Sequence, residues 1–244
     1  MSELLIFGGT GTLGGAIKDR FTKEGWNLTC GTRTVKESCD FQVPLNTNSL
    51  PDILKNKSFD AVVFAQGANI NDSVQNHESS ELLRLFEANV SFISDHVKVL
   101  MAHDLIKSGA RVVILSSVWE VLTRQDKFAY TVTKAAVGGL VRSLAVDLGA
   151  AKGILVNGIL PGIVDTPMAR GLLKPEQMDA VKNGTPTGKM LVPRHYVQFA
   201  VIKGFIVKAI QVSKLTKSRI FAFWYTRYIS APEIYRLKSA LCGI

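Results

Sequence analysis

The stretch FAYTVTKAA, residues 128–136, places Tyr130 and Lys134 four positions apart in a run with helical patterning. At ~3.6 residues per turn, positions i and i+4 lie one above the other, so a phenol and an ammonium can reach the same small molecule. An ammonium beside a phenol favours the phenolate, which predicts a lowered Tyr130 pKa and a better acid–base group near neutral pH. The same spacing also describes a surface aromatic resting on a lysine stem, and on spacing alone that plainer reading is the stronger. Gly8, Gly11 and Gly14, in GGTGTLGG, offer a second kind of chemistry. Glycines let a backbone approach a phosphate, and the N-terminus of a following helix supplies N–H donors and a positive dipole end. A glycine triplet by itself reads as a tight turn; immediately after a first strand, dinucleotide binding becomes the better reading. After the second strand stand Thr32 and Arg33, where an acidic residue would bind the ribose 2′-hydroxyl of NAD. An arginine there suits the 2′-phosphate of NADP. A solvated loop arginine is the alternative.

These groups need a scaffold, and the chain supplies one. ELLIF (3–7) is an apolar run ending in the glycines, and AIKDRFTKEG follows with Ala16, Ile17 and Phe21 at helical spacing and Gly25 as a stop. WNLTCGTR reads as a second strand, DAVVFAQGA (60–68) as a third, ARVVILSS (110–117) as a fourth and ILVNGILPG (154–162) as a fifth. Each is apolar enough to be buried on both faces of a parallel sheet. Between them, ELLRLFEANVSFISDHVKVLMAHDLI and YTVTKAAVGGLVRSLAVDLGA have helical length and period. The alternation predicts an α/β fold, a Rossmann-type doubly wound parallel sheet in a single domain. Residues 34–59 hold Pro44, Pro51 and several Asn and Ser, so any helix between the second and third strands is short or missing.

The chain has 244 residues, 47% of them hydrophobic, enough for one large buried core. Cys30, Cys39 and Cys242 show no paired or metal-ligand spacing, so no metal and no disulfide framework is expected, and a reducing cytoplasm fits. MSELLIFGGTG lacks the basic start of a signal peptide. No apolar run approaches the ~18 residues of a membrane span. The net charge of +9 raises the question of nucleic acid, but residues 1–187 are neutral, with 19 basic and 19 acidic side chains. The whole excess lies in residues 188–244, which hold 10 basic and one acidic residue and four of the five tyrosines. No nucleic-acid partner is expected of the body.

Six segments in order resemble the short-chain dehydrogenase/reductase family: GGTGTLGG, AQGA (65–68), Asn89 in EANV, the serines 116 and 117, Tyr130 and Lys134 in YTVTK, and NGILPGIVDTP (157–167). The resemblance implies a nicotinamide-dependent oxidoreductase that reduces a ketone or aldehyde or oxidises the alcohol. It implies that Tyr130 is the acid in reduction and the base in oxidation. Lys134 would lower the tyrosine pKa and hold the nicotinamide ribose. Ser117, thirteen residues before Tyr130, would bond the substrate oxygen, with Ser116 facing the sheet or cofactor. Asn89 would hold a helix kink and a water of the proton relay. The cofactor would lie along Gly8, Thr10, Gly11, Thr12, Leu13 and Gly14, with Arg33 and Asp40 at the adenosine end. Ala65, Gln66 and Gly67 would flank it, and Pro161, Gly162, Val164 and Thr166 would reach the carboxamide. NADP(H) is favoured, with NAD(H) as the alternative. Each residue has a plainer counterpart: Asn89 a backbone-bonded amide, Ser117 a turn-capping serine, Asp40 a loop aspartate.

The pattern also departs from the family. The glycine spacing is that of its longer, sugar-nucleotide-modifying branch, while the length and NGILPG match the shorter reductases. Asp40 follows Arg33 by only seven residues, as in members resembling dihydropteridine reductase, so the intervening helix and much of its strand are abbreviated. Residues 188–244 lack the usual closing helix, strand and glycine-rich end. They read as a divergent tail completing the core, as an out-of-frame stretch, or as a basic amphipathic segment for a membrane surface or nucleic acid. An altered tail weakens the case for a homo-oligomer, and opens an alternative function: a dinucleotide-binding protein without turnover. Residues 168–184 are expected to form the substrate loop, and Trp119 and Glu120 to line the pocket.

Overall fold

A computed structural model describes residues 1–45, 50–185 and 188–193. Six strands form one sheet, β1 (Glu3–Phe7), β2 (Asn27–Thr32), β3 (Asp40–Gln42), β4 (Phe59–Phe64), β5 (Ile106–Leu115) and β6 (Leu155–Ile159). Their order is β3-β2-β1-β4-β5-β6, every neighbouring pair parallel. The helices are α1 (Thr12–Lys23), α2 (Ser79–Phe86), α3 (Phe92–Ala102), α4 (Phe128–Lys152), α5 (Pro167–Leu172) and α6 (Pro175–Gly184).

Side chains of the central strands alternate between two cores. Leu5 and Phe7 of β1 and Val62 and Phe64 of β4 join Ile93 and Val97 of α3 and Val137 and Val141 of α4. Leu4, Ile6, Ala61 and Val63 face the other way, onto Ile17 and Phe21 of α1. Period-two alternation with both faces apolar is what a sheet covered on each side demands. At ~25 cal/mol per Å² of buried apolar surface, this double burial is the main force holding the strand ends in register.

The structure departs from the sequence reading in three places. The helix expected over 81–106 is broken by a π-turn at Glu87–Ser91 and ends at Ala102. β5 begins four residues early, with Gly109 at φ +71 where the register against β4 shifts. A three-residue strand, β3, occupies the abbreviated region, and no α-helix joins β2 to β4 among the described residues. Residues 194–244, and with them most of the atypical tail, lie outside the described residues.

Candidate active site

The strand order reverses between β1 and β4, and in such sheets the crevice beyond the carboxyl ends is where ligands sit. Four of the six segments of the sequence pattern leave the sheet there. Gly8 follows β1, Ala65 follows β4, Ser116 follows β5 and Pro161 closely follows β6.

The first turn is built for close approach. Gly8 has φ +79, and a Cβ on it would lie 2.6 Å from the Gln66 nitrogen. A Cβ on Gly14 would overlap the Gly8 carbonyl. The cap of α1 is Gly11, which has no side chain to take the first-turn amides, and Thr10, Gly11 and Thr12 are exposed. An uncapped helix start with exposed backbone suits an anion. Beside it, the Gln66 amide has neither atom exposed and no hydrogen-bond partner among the described residues.

At the far end, Arg33 is exposed just past β2. Asp40 is buried at the start of β3, and its Oδ2 accepts from the Lys36 and Glu37 amides at 3.0 Å each, folding the short connection. Lys18 of α1 ties the same loop through Glu37 at 2.6 Å. The Cys30 and Cys39 sulfurs and an Asp40 oxygen lie within 4.8 Å of one another, a closeness that sequence spacing does not reveal. Burial pushes the Cys30 thiol up to about 12, so it stays protonated at neutral pH.

Asn89 projects from the π-turn and is 1% exposed. Its Oδ1 accepts from the Ala68 amide at 2.8 Å, and its Nδ2 donates to the Ala68 carbonyl at 3.0 Å and to Thr133 Oγ1 at 3.1 Å. Thr133 Oγ1 in turn donates to the Tyr130 carbonyl at 3.0 Å. One amide therefore joins the loop after β4 to the helix that carries Tyr130. α4 is also fixed at its start, where Asp72 Oδ1 accepts from the Ala129 amide at 3.0 Å.

Lys134 is buried, and its Nζ donates to the Leu115 carbonyl at 3.3 Å, at the end of β5, and lies 5.6 Å from the centre of the Tyr130 ring. Burial pulls its pKa down to about 8, opposed by the Glu120 carboxylate. Glu120 does not wall the cavity as expected. It packs against Gly138 of α4, where a Cβ would stand 2.8 Å from its Cγ. Tyr130 also departs from expectation: burial pushes its pKa up to about 12, only partly opposed by a hydrogen bond with Ser117. Desolvation of the phenolate outweighs the nearby ammonium.

Ser117, Tyr130, Leu13, Pro161, Gly162, Val164 and Thr166 come together around a cavity of about 140 Å³. Ser116 shares it, with its hydroxyl buried and without a hydrogen-bond partner among the described residues, and Trp119 forms part of its wall. Ser117 caps the short turn Val118–Glu120, accepting from the Trp119 amide at 3.3 Å. Asn89 and Lys134 stand behind this wall rather than in it. Thr166 Oγ1 caps α5, accepting from the Ala169 amide at 3.1 Å, so the expected substrate loop is two short helices, α5 and α6. The sequence reading missed Asn69, Arg124 and Lys127, which also line the cavity. Two cations in the short run TRQDKF between the strand-end serines and Tyr130 were the available signal. Carbonyl polarisation, proton transfer and anion binding are all within reach of these groups.

The family model described as enoyl-(acyl carrier protein) reductase matches residues 22–202. Oxidoreductase UcpA of Escherichia coli K12 is 35% identical over 99 residues, covering 39% of this chain and 37% of that protein, so the chain spans well under half of it. 3beta-hydroxysteroid dehydrogenase 1 of Eggerthella lenta is 28% identical over 217 residues, 78% of this chain and 81% of that one. Among solved structures, ElxO with NADP bound superposes with a TM-score of 0.68 at 19% identity, covering 83% of this chain and 92% of that one, a likeness of fold. With its sheet order, its first turn and a family match over most of its length, the chain belongs to the short-chain dehydrogenase/reductase family.

Proposed function

We propose that the protein is an NADP(H)-dependent reductase of a ketone or aldehyde, run in reverse as an alcohol dehydrogenase. The observation that carries this reading is the meeting of Ser117 and Tyr130 in one cavity with Pro161, Gly162, Val164 and Thr166, beside a glycine turn open to an anion. The residues fit a nicotinamide dinucleotide. Gly8 and Gly14 leave space that a Cβ would fill, the uncapped α1 start suits a pyrophosphate, and Gln66 offers an unused buried amide. Thr10, Gly11, Thr12 and Leu13 belong to the same first turn and the start of α1, and Ala65 and Gly67 flank Gln66 after β4. Arg33, exposed past β2, is the group for a 2′-phosphate. When bound, the dinucleotide supplies or accepts the hydride.

The chain's own groups do the rest. Ser117 donates to the carbonyl oxygen and orients it. Tyr130 delivers its phenolic proton to that oxygen as charge develops. A phenol whose pKa burial pushes up to about 12 keeps its proton until a strongly basic oxygen develops, and the phenolate left after the transfer needs a cation close by. Lys134, whose pKa of about 8 leaves it mostly protonated at neutral pH, is that cation. Asn89 is a positioning residue, holding the Ala68 loop and, through Thr133, the backbone at Tyr130. Asp40 contributes to the adenosine end by folding residues 36–40. The free thiols of Cys30 and Cys39 suit a reducing cytoplasm, and among the described residues no helix is long and apolar enough to cross a membrane.

The test is NADPH titration followed by a carbonyl screen. Tyr130→Phe should retain NADPH binding and lose turnover by roughly a hundredfold or more. Retained turnover in Tyr130→Phe, or no NADPH binding by folded protein, would overturn the reading.

A further inference from the structure

Arg124 and Lys127 line the reactive cavity, and neither takes part in an ion pair among the described residues. Lys127 is 3% exposed. Its Nζ donates to Asn69 Oδ1 at 2.9 Å and to the Ile70 carbonyl at 3.1 Å, and lies 5.5 Å from the centre of the Tyr130 ring. An ammonium has three donors, so one remains. Arg124 gives one nitrogen to the Gln125 carbonyl at 3.0 Å, while its second terminal nitrogen is shielded from solvent with no hydrogen-bond partner among the described residues.

A buried ammonium and a half-buried guanidinium at one cavity are costly unless an anion joins them. The carboxylates whose fields reach them are Asp72 and Asp126. Asp72 is partly committed to the Ala129 amide, and Asp126 to neither cation by contact. Burial, reinforced by Arg124, pulls the Lys127 pKa down to about 8, which is the cost expressed on the lysine. A second cavity of about 370 Å³ adjoins the first and shares Trp119, Arg124, Ile163 and Leu173 with it. Its other walls include Val118, Leu122, Ala180 and Val181. Arg124 therefore stands where the reactive cavity meets a more apolar one.

We propose that Arg124 and Lys127 select a substrate that carries a carboxylate a few bonds from its carbonyl, with an apolar remainder in the second cavity. The inference rests on the reductase reading and names its substrate class, an apolar oxo acid. The guanidinium fork matches a carboxylate in a two-point contact, and the third Lys127 donor completes it. The carbonyl would then stand at Ser117 and Tyr130.

The test is calorimetric titration of the full chain, saturated with NADP⁺, with phenylpyruvate and with its methyl ester. Phenylpyruvate is expected to bind at least tenfold more tightly than the ester, since a charge-assisted hydrogen bond contributes roughly that much or more. Arg124→Gln and Lys127→Gln should each cut this preference roughly tenfold, and the preference should fall with salt. Lys127 also tethers Asn69 and Ile70, so Arg124→Gln is the variant of record if Lys127→Gln does not fold. Equal binding of acid and ester, binding of neither, or a preference unchanged in Arg124→Gln would overturn the inference. A protein that binds NADPH and reduces uncharged ketones through Tyr130 while showing no such preference would leave the reductase reading standing; absent NADPH binding would remove that reading itself.

Discussion

Replacing Gly8 by alanine separates two costs that the first turn combines. At φ +79 an L-residue is strained by about 1–2 kcal/mol. A Cβ there would also lie 2.6 Å from the Gln66 nitrogen and 2.8 Å from the Ala65 carbonyl carbon, backbone that cannot swing aside. Overpacking of that kind costs a further ~1–3 kcal/mol. Gly25, at φ +75 with nothing within 4 Å of its would-be Cβ, carries the first cost without the second. Gly25→Ala should therefore lower stability by about 1–2 kcal/mol, and Gly8→Ala by about 2–5 kcal/mol. In a chain of this size each kcal/mol moves the melting midpoint by ~2–4 °C. Denaturant titration of both variants, with NADPH titration alongside, reads the difference. Gly8→Ala should also weaken NADPH at least tenfold, because relief of the overlap parts β1 from the loop after β4, while Gly25→Ala should bind normally. Equal destabilisation of the two variants, or normal NADPH affinity in Gly8→Ala, would refute the close-approach argument.

Three further outcomes follow from the site. Asn89→Ala removes the three hydrogen bonds of a buried side chain and strands the Ala68 amide, so thermal and denaturant unfolding should show a loss of about 2–4 kcal/mol, whereas an exposed amide would cost almost nothing. The buried Lys134 has its folded pKa pulled from 10.5 to about 8. The native state then binds fewer protons than the unfolded state between those values, so this group's destabilising effect is full below about 8 and fades as pH rises towards 10.5. The melting temperature of the wild type relative to Lys134→Met should rise between pH 8 and 10, and a flat difference would contradict the burial argument. Tyr130 acts in the opposite direction higher up, since its folded pKa of about 12 exceeds the ordinary 10, and the stability that it contributes is lost as pH rises from 10 through 12. Tyr130→Phe should flatten the alkaline fall above pH 10 in the same melts.

Much of this architecture was readable from periodicity. ELLIF, DAVVF and RVVIL are apolar on both faces, and only a covered parallel sheet uses such runs, so the order of strand and helix followed. The three-residue β3 was too short to show any period, and Gly109 masked the early start of β5 by introducing a bulge. The π-turn at Asn89 left no mark on the periodicity, because EANVSF continues the apolar spacing of its neighbours; only the family resemblance implied a kink there, and the hydrogen bonds to Ala68 and Thr133 give that insertion a purpose. At the site, it was the family resemblance, carried by six motifs in order, that implied Ser117, Tyr130 and the Pro161 segment would meet. Burial is what spacing could not convey. It reversed the expected direction for Tyr130, set Lys134 behind the cavity wall, and turned the loop cations Arg124 and Lys127 into cavity-lining groups.

Hydride transfer dependent on Tyr130 is the core of the account. The most direct test incubates the protein with NADPH deuterated at the nicotinamide C4 and a carbonyl panel, then examines the alcohols by mass spectrometry. Deuterium on the former carbonyl carbon with wild type, and its loss with Tyr130→Phe despite retained NADPH binding, is the predicted result. No labelled alcohol from a wild type that binds NADPH, or equal labelling by both proteins, would contradict it.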